Sequence, residues 1–304
     1  MFVARGDNRI GAAHLRWACL FARRMWGLIV ERHGLVLDTT FVPPAEGPSK
    51  ASICIYLLVS GTWTITGEEG SSLVGPVGFV VAQDALEGAS RKRAYGFRVV
   101  GAPMLCVQIY LKPEDVPVAA DFRPVPFALD EALIGSATRS ADLARTSDDH
   151  LINGMAGVLE SLVRARVVRR EVAEAAAEPN AVFERLWQSI RPTAEKLLLS
   201  PTLDELSIGS GRSVRQMERT IARFLETFEF AGTSWRSASR HLRIKLAVLF
   251  LSADGVTVAD VAEAVGYGST EAMARAFRDA ALPAPSVIRA ELLASSSSST
   301  RASP

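Results

Sequence analysis

The sequence predicts an α+β protein: a small β-barrel with flanking helices, then an all-α half in which a linker helix joins two helix-turn-helix units. Three observations predict it. Residues 34–113 break into short runs rich in Val, Ile, Leu and aromatics, separated by Gly and Pro, the pattern of a small barrel or sandwich. Residues 257–289, TVADVAEAVGYGSTEAMARAFRDAALPAPSVIR, place a short helix start, a Gly266-Tyr267-Gly268 turn and a second amphipathic helix in immediate succession. The same pattern stands upstream at residues 202–228, TLDELSIGSGRSVRQMERTIARFLETF.

Residues 8–32 show helical period. Trp17, Phe21, Met25 and Leu28 share a face, with Arg9, Arg16 and Arg23 away from it. An N-terminal helical segment over residues 1–33 is therefore expected, packing its apolar side on its own domain rather than on a membrane. Arg23 and Arg24 interrupt any apolar leader, and no run of about 18 apolar residues occurs, so neither a signal peptide nor a transmembrane helix is expected. A cytoplasmic location follows from this and from three widely spaced cysteines, Cys19, Cys54 and Cys106, which read as buried small hydrophobes in a reducing compartment.

The barrel is expected over residues 34–127, with strands in GLVLDTTFV, ASICIYLLVSG, TWTIT, VGFVVAQ, YGFRVVG and PMLCVQIYL. Tyr56, Trp63, Phe79, Phe97 and Tyr110 are candidates to line a ligand pocket there, although each taken singly reads more simply as core. None of the four histidines, His14, His33, His150 and His241, falls in a predicted strand, so no metal site and no cofactor are expected. A GxSxG elbow and a phosphate loop are also absent from the sequence, and no catalytic residue is assigned. An enzyme built on the barrel is the weaker alternative; stoichiometric bound iron, zinc or manganese would revive it.

Residues 128–180 read as a helical connector. Leu151, Met155, Val158, Leu159, Leu162 and Val163 form an apolar stripe that either packs on the barrel or pairs with its twin in a homodimer. Residues 181–294 contain the paired units, and the Ser-rich residues 295–304 are expected to be a disordered tail.

Within the paired units, Thr202 with Glu205 and Ser213 with Gln216 fit capping boxes. Thr257 matches Thr202 at an offset of 55, and Ser269 matches Ser213 at 56. At 100° per residue, Met217, Ile221, Phe224 and Phe228 share a buried face in the second helix of the first unit, the one that would read DNA, with Arg215 and Arg219 nearly opposite and Arg212, Gln216 and Arg223 beside them. In the second, Met273, Ala276, Phe277 and Ala280 face the core, while Glu271, Arg275 and Arg278 face outward behind Ser269 and Thr270. Between the units, Leu242, Leu246, Leu249 and Phe250 make the stripe of a linker helix, whose start carries Arg236, Arg240, His241, Arg243 and Lys245 as candidate phosphate contacts.

Residues 187–289 resemble the C-terminal domain of AraC/XylS-family transcription regulators. SVRQMER, HLRIKLAVLFLSADG, VADVAEAVGYGS and ARAF carry the resemblance. The family usually has Gly-Phe at Gly266-Tyr267, an aromatic at Met273 and a Gly-x-x-Pro signature where this chain has Ala-Leu-Pro-Ala-Pro at 281–285. The resemblance implies a cupin-like sensor barrel at the N-terminus, double-stranded DNA as partner, a small-molecule effector, contact with RNA polymerase and a homodimer. Arginine bidentate to guanine and glutamine to adenine are standard base contacts, so Arg212, Ser213, Arg215, Gln216, Arg219, Arg223, Arg236, Arg240, Arg243, Ser269, Thr270, Glu271, Arg275 and Arg278 are the candidate DNA-facing residues.

Charge qualifies this. The whole chain is formally +1, and residues 201–294 carry eleven basic and eleven acidic side chains. Residues 201–245 hold eight basic against five acidic; residues 246–294 hold three against six. Phosphate contact by basic side chains supplies non-specific affinity, so the first unit is expected to grip and the second to add specificity. An interaction protein that keeps the fold but has lost DNA recognition is the alternative that this neutrality keeps open.

Overall fold

In the computed structural model of the protein, residues 2–43, 53–66, 71–82, 96–118, 124–143, 146–178, 183–195, 201–228, 230 and 232–299 are described. The α+β class is as expected. Among the described residues nine strands form one curled antiparallel sheet: β1 (Phe2–Ile10), β2 (Ala13–Phe21), β3 (Trp26–His33), β4 (Leu37–Asp38), β5 (Ile53–Thr66), β6 (Ser71–Val74), β7 (Val77–Ala82), β8 (Gly96–Leu111) and β9 (Val125–Phe127). The main path runs β1-β2-β3-β8-β5-β7-β9, with β4 on β8 and β6 on β5. Among the described residues β1 and β9 do not pair, so the sheet is a half-barrel rather than a closed one.

The N-terminal helical segment is the main correction. Residues 2–33 form three sheet strands instead. Trp17 and Phe21 stand four residues apart, an even spacing that keeps one side of β2 as readily as one face of a helix, while Met25 lies between β2 and β3 and packs in the core on the other side of the sheet. Gly11 decides between the readings. It sits at φ +56°, where only glycine is comfortable, and turns β1 back onto β2. A second correction concerns strand number. TWTIT continues ASICIYLLVSG as one strand, β5, and PMLCVQIYL continues YGFRVVG as β8. Gly61 does not end β5, because the ladder absorbs it through register shifts between Leu58 and Thr62.

The two faces of the sheet are both buried, which explains the near-continuous apolar runs. On β5 and β8 the odd positions Ile55, Leu57, Val107 and Ile109 meet the helices α1 (Glu131–Leu143), α2 (Asp148–Arg164) and α3 (Arg170–Ala177). The α2 stripe of Leu151, Met155, Val158, Leu159 and Leu162 is buried in that layer. It is committed to the chain's own sheet, so it does not provide the dimer surface that was one of its two readings. The even positions Cys54, Tyr56, Leu58, Cys106 and Tyr110 face the C-terminal half. All three cysteines are free and buried.

The remaining helices are α4 (Glu184–Glu195), α5 (Leu203–Ser210), α6 (Val214–Thr227), α7 (Trp235–Leu251), α8 (Val258–Ala264), α9 (Thr270–Asp279) and α10 (Pro285–Ser299). α10 extends through Ser299, so the tail expected from residue 295 is helical for its first turn; Ser tolerates a helix once an upstream apolar segment, here with Ile288 and Leu292 buried, has nucleated it. Residues 300–304 lie outside the described residues. α5–α6 and α8–α9 are the two helix-turn-helix units, and α7 joins them. Each unit shares a core with the sheet. Met217, Ile221, Phe224 and Phe228 of α6 and its end pack with Phe2 and Phe21 of β1 and β2. Met273 and Phe277 of α9 belong to the core that contains Tyr56, Cys106 and Tyr110.

Candidate nucleic-acid interface

The first unit is built by its caps. Thr202 Oγ1 accepts from the Glu205 amide at 3.2 Å, and the Glu205 carboxylate accepts from the Thr202 amide at 2.6 Å. Those bonds to the Thr202 amide and hydroxyl hold the Glu205 carboxyl below its ordinary pKa. Gly211 at φ +66° closes α5 in the left-handed conformation, and Ser213 opens α6 with a second capping box, accepting from the Gln216 amide at 3.3 Å.

These caps deliver α6 with its apolar side buried and Arg215, Gln216, Arg219 and Arg223 exposed. Arg215 and Arg223 point to solvent, while the Arg219 Nε donates to the Arg215 carbonyl at 3.4 Å. Arg212 is half-buried and donates to Thr220 Oγ1 at 2.7 Å, which fixes it along the helix start. Gln216 is partly occupied. Its side-chain oxygen accepts from the Ser213 amide at 3.0 Å, so bidentate pairing with adenine would require it to leave the cap. Val214, at the first turn of α6, is also exposed.

The second unit repeats this with acidic chemistry. Thr257 and Asp260 form its capping box, and the Thr257 amide and hydroxyl hold the Asp260 carboxyl below its usual value. Ser269 Oγ accepts from the Ala272 amide at 3.2 Å at the start of α9. Glu271 is exposed there, its pKa lowered by its own backbone amide and by the Ser269 and Thr270 hydroxyls, so it is a carboxylate at neutral pH. Arg275 and Arg278 are exposed on the same helix. Met273 and Phe277 are buried as expected, whereas Ala276 and Ala280 are only half-buried.

The linker helix departs further from expectation. Arg236 is exposed at its start, but Arg240 donates to the Ala276 carbonyl at 3.1 Å and pairs with Asp279 at 3.5 Å. Arg243 donates to the Gly266 carbonyl at 3.4 Å and lies over the Tyr267 ring, 5.4 Å from its centroid. Both arginines face the second unit rather than open solvent. The apolar stripe of α7 also shifts: Ile244, Ala247, Val248, Leu249 and Phe250 are buried, while Leu242 is 48% exposed. Period alone could not show that the second unit covers one flank of α7 and leaves Leu242 outside.

The aromatic candidates of the sheet pack on one another. Tyr56 stacks on Phe79 with centroids 4.8 Å apart, and Trp63 lies 4.7 Å from Phe79; all three are buried. Tyr110 stacks on Trp26 at 3.8 Å, and both line a shallow cleft with Arg24, Lys112 and Phe228. Phe97 stands on β8 opposite Ile65, and its side chain lies outside the described residues. Two histidines prove to be strand residues. His14 and His33 oppose each other on β2 and β3, with rings 6.2 Å apart. Their neighbours Asp7 and Glu31 are bound to Arg16 at 3.0 and 3.5 Å. Among the described residues, no three His, Cys, Asp or Glu side chains gather into a possible metal site.

No family model and no curated protein matches the chain. Solved structures do. ToxT from Vibrio cholerae O395 is 7% identical, with 91% of this chain and 91% of that one covered and a TM-score of 0.35. Wild-type ToxT from Vibrio cholerae strain SCE256, bound to unsaturated fatty acid, is 9% identical over 86% of this chain and 94% of that one, with a TM-score of 0.35. The AraC-like transcriptional activator CuxR is 11% identical over 74% of this chain and 80% of that one, with a TM-score of 0.30. The structures it resembles thus include an AraC-like regulator. At these identities and TM-scores the likeness carries no weight for function, and the reading rests on the chain's own residues. No described helix is long and apolar enough to cross a membrane.

Proposed function

We propose that this chain is a sequence-specific DNA-binding transcription regulator of the AraC type, with α6 and α9 as its two reading helices. One observation carries the reading. Two helix-turn-helix units recur with the same Thr and Ser caps, and the first presents Arg215, Arg219 and Arg223 on the exposed side of a helix whose other side is core. Helices so presented suit the major groove, about one turn (~34 Å) apart on one face of the duplex. Arg236 would contact phosphate, while Arg240 and Arg243 would act by holding the second unit in place.

The reading includes a small-molecule effector on the N-terminal sheet. What supports it is continuity: the even-numbered side of β5 and β8 shares its core with α8, α9 and α10. A ligand there regulates if it binds one arrangement of sheet and reading helices more tightly than another. RNA polymerase and a second copy of the chain are the protein partners such a regulator calls for, and a dimer would have to use a face other than the α2 stripe. Selection of bound sequences from random duplex DNA tests the proposal. Two enriched half-motifs spaced by about one helical turn are expected. Failure to enrich any sequence favours a protein-interaction role, in line with the acidic balance after residue 245 and the carboxylate of Glu271.

A further inference from the structure

Residues 161–170, SLVRARVVRR, hold four arginines and no acid. They form the corner between α2 and α3, where Arg164, Arg166, Arg169 and Arg170 are all exposed. Among the described residues none of the four pairs with a carboxylate. Asp115 is taken by Arg24 and Glu178 by Arg23, and the exposed Glu114, Glu160 and Glu171 hold no arginine of the corner.

Local structure accounts for one of the four. Arg164 stands in the last turn of α2, the negative end of the helix dipole, and donates to Ser161 Oγ at 3.0 Å. The other three sit where the backbone disfavours them. Arg166 closes α2 in the left-handed conformation at φ +58°, a position suited to glycine, with its amide on the Val163 carbonyl at 3.0 Å. Arg169 is the N-cap of α3 and makes no side-chain cap bond, where Ser, Thr, Asp or Asn would. Arg170 opens α3 at the positive end of its dipole. Three cations held together against local preference call for an anionic partner outside the fold.

The corner is joined to the first reading helix. The Arg169 amide donates to the Asp115 carbonyl at 3.0 Å, and Arg24 holds the Asp115 carboxylate. Arg24 and Lys112 wall a shallow cleft whose other residues include Thr227 and Phe228 at the end of α6. Thr227 is exposed, about one turn beyond Arg223. The C-terminal half, meanwhile, is short of cations. Residues 201–294 have equal numbers of acidic and basic side chains, and Arg240 and Arg243 are turned to carbonyls of the second unit. Sequence-independent affinity for a duplex comes from basic side chains that face phosphate.

We propose that the α2–α3 corner is a second DNA contact, in which Arg166, Arg169 and Arg170 bind phosphates of the duplex flanking the half-motif read by α6. This rests on the DNA-binding reading given above. The corner supplies affinity and its salt dependence, while α6 and α9 supply discrimination between sequences.

Fluorescence anisotropy of the full chain on labelled duplexes tests this. One duplex has mixed sequence over about four helical turns (~40 bp), a second carries the selected site at that length, and a third is the selected site trimmed flush with its half-motifs. On both long duplexes R166Q/R169Q/R170Q is expected to reduce the slope of log affinity against log salt by about 3, close to one per phosphate lost. The ratio between selected and mixed sequence stays at the wild-type value, and on the trimmed site variant and wild type bind alike. R166G is expected to reduce the slope by about 1 and to raise Tm by about 2 °C, a combination that a folding defect does not produce. Wild-type slopes in both variants, or an equal loss on the trimmed site, would overturn the proposal. So would flotation of the wild type but not of the triple variant with vesicles of phosphatidylcholine and phosphatidylserine when the DNA slopes are alike, which would assign the corner to a membrane surface. If the wild type binds no duplex at any salt, the regulator reading fails and the corner contact fails with it. If the wild type binds and the variants match it, the reading stands and the corner contact alone is refuted.

Discussion

Ala281 adopts the left-handed conformation at φ +54°, one residue before Leu282, where a Gly-x-x-Pro ending at Pro285 would place its Gly. It closes α9 as a glycine would, with the Ala281 amide on the Arg278 carbonyl at 2.9 Å and the Leu282 amide on that of Phe277 at 2.9 Å. An L side chain there costs about 1 kcal/mol, so A281G is expected to stabilise the protein by about that amount, raising Tm by about 2 °C in a melt. The reading helices give a second prediction at this scale. R215A or R219A is expected to weaken binding to the selected DNA by about 1–3 kcal/mol, the worth of a good base contact. Unchanged affinity in a gel-shift titration would remove those residues from the interface. Gln216 is a weaker candidate than its position suggests, because the cap of α6 uses its oxygen.

At the scale of elements, the two units are held differently. The second is tied to α7 by Arg240 and Arg243 through the carbonyls of Ala276 and Gly266, and its α10 is tied back by Arg289 to the carbonyls of Leu251 and Ala253. The first is held by rings: Phe21 of β2 lies within 4.7–5.7 Å of Trp187, Phe224, Phe228 and Phe230. The double variant R240A/R243A is therefore expected to blur recognition of the second half-motif while leaving contacts to the first. Its measure is binding to duplexes carrying each half-motif alone. A uniform loss across all sequences, with a reduced salt slope, would return the two arginines to phosphate contact.

At the scale of the whole molecule, neither unit owns a separate core. Phe2 and Phe21 complete the first, and the even side of β5 and β8 continues into the second. The backbone is cross-tied as well: the Val36 amide donates to Ser252 Oγ at 2.8 Å, the Trp187 indole to the Val3 carbonyl at 3.1 Å. The full chain is expected to unfold in one calorimetric transition, and a fragment of residues 181–294 to melt lower and to expose apolar surface. Two well-separated transitions, with the fragment as stable as the later one, would show that the halves are independent.

The sequence alone determined the C-terminal architecture, because its signals are local. Caps at Thr202, Ser213, Thr257 and Ser269 act within one turn of helix, and the 3.6-residue period of Met217, Ile221, Phe224 and Phe228 needs no knowledge of the partner. It also placed Arg215 and Arg219 on the outward side. The N-terminal strands were not legible, since an even four-residue spacing fits a helix and a strand alike and only pairing across the Gly11 turn separates them. Nor were the roles of Arg240 and Arg243 or the commitment of the α2 stripe legible. Each depends on what packs opposite, and that is set by contacts between residues far apart in the chain, which only the tertiary structure decides.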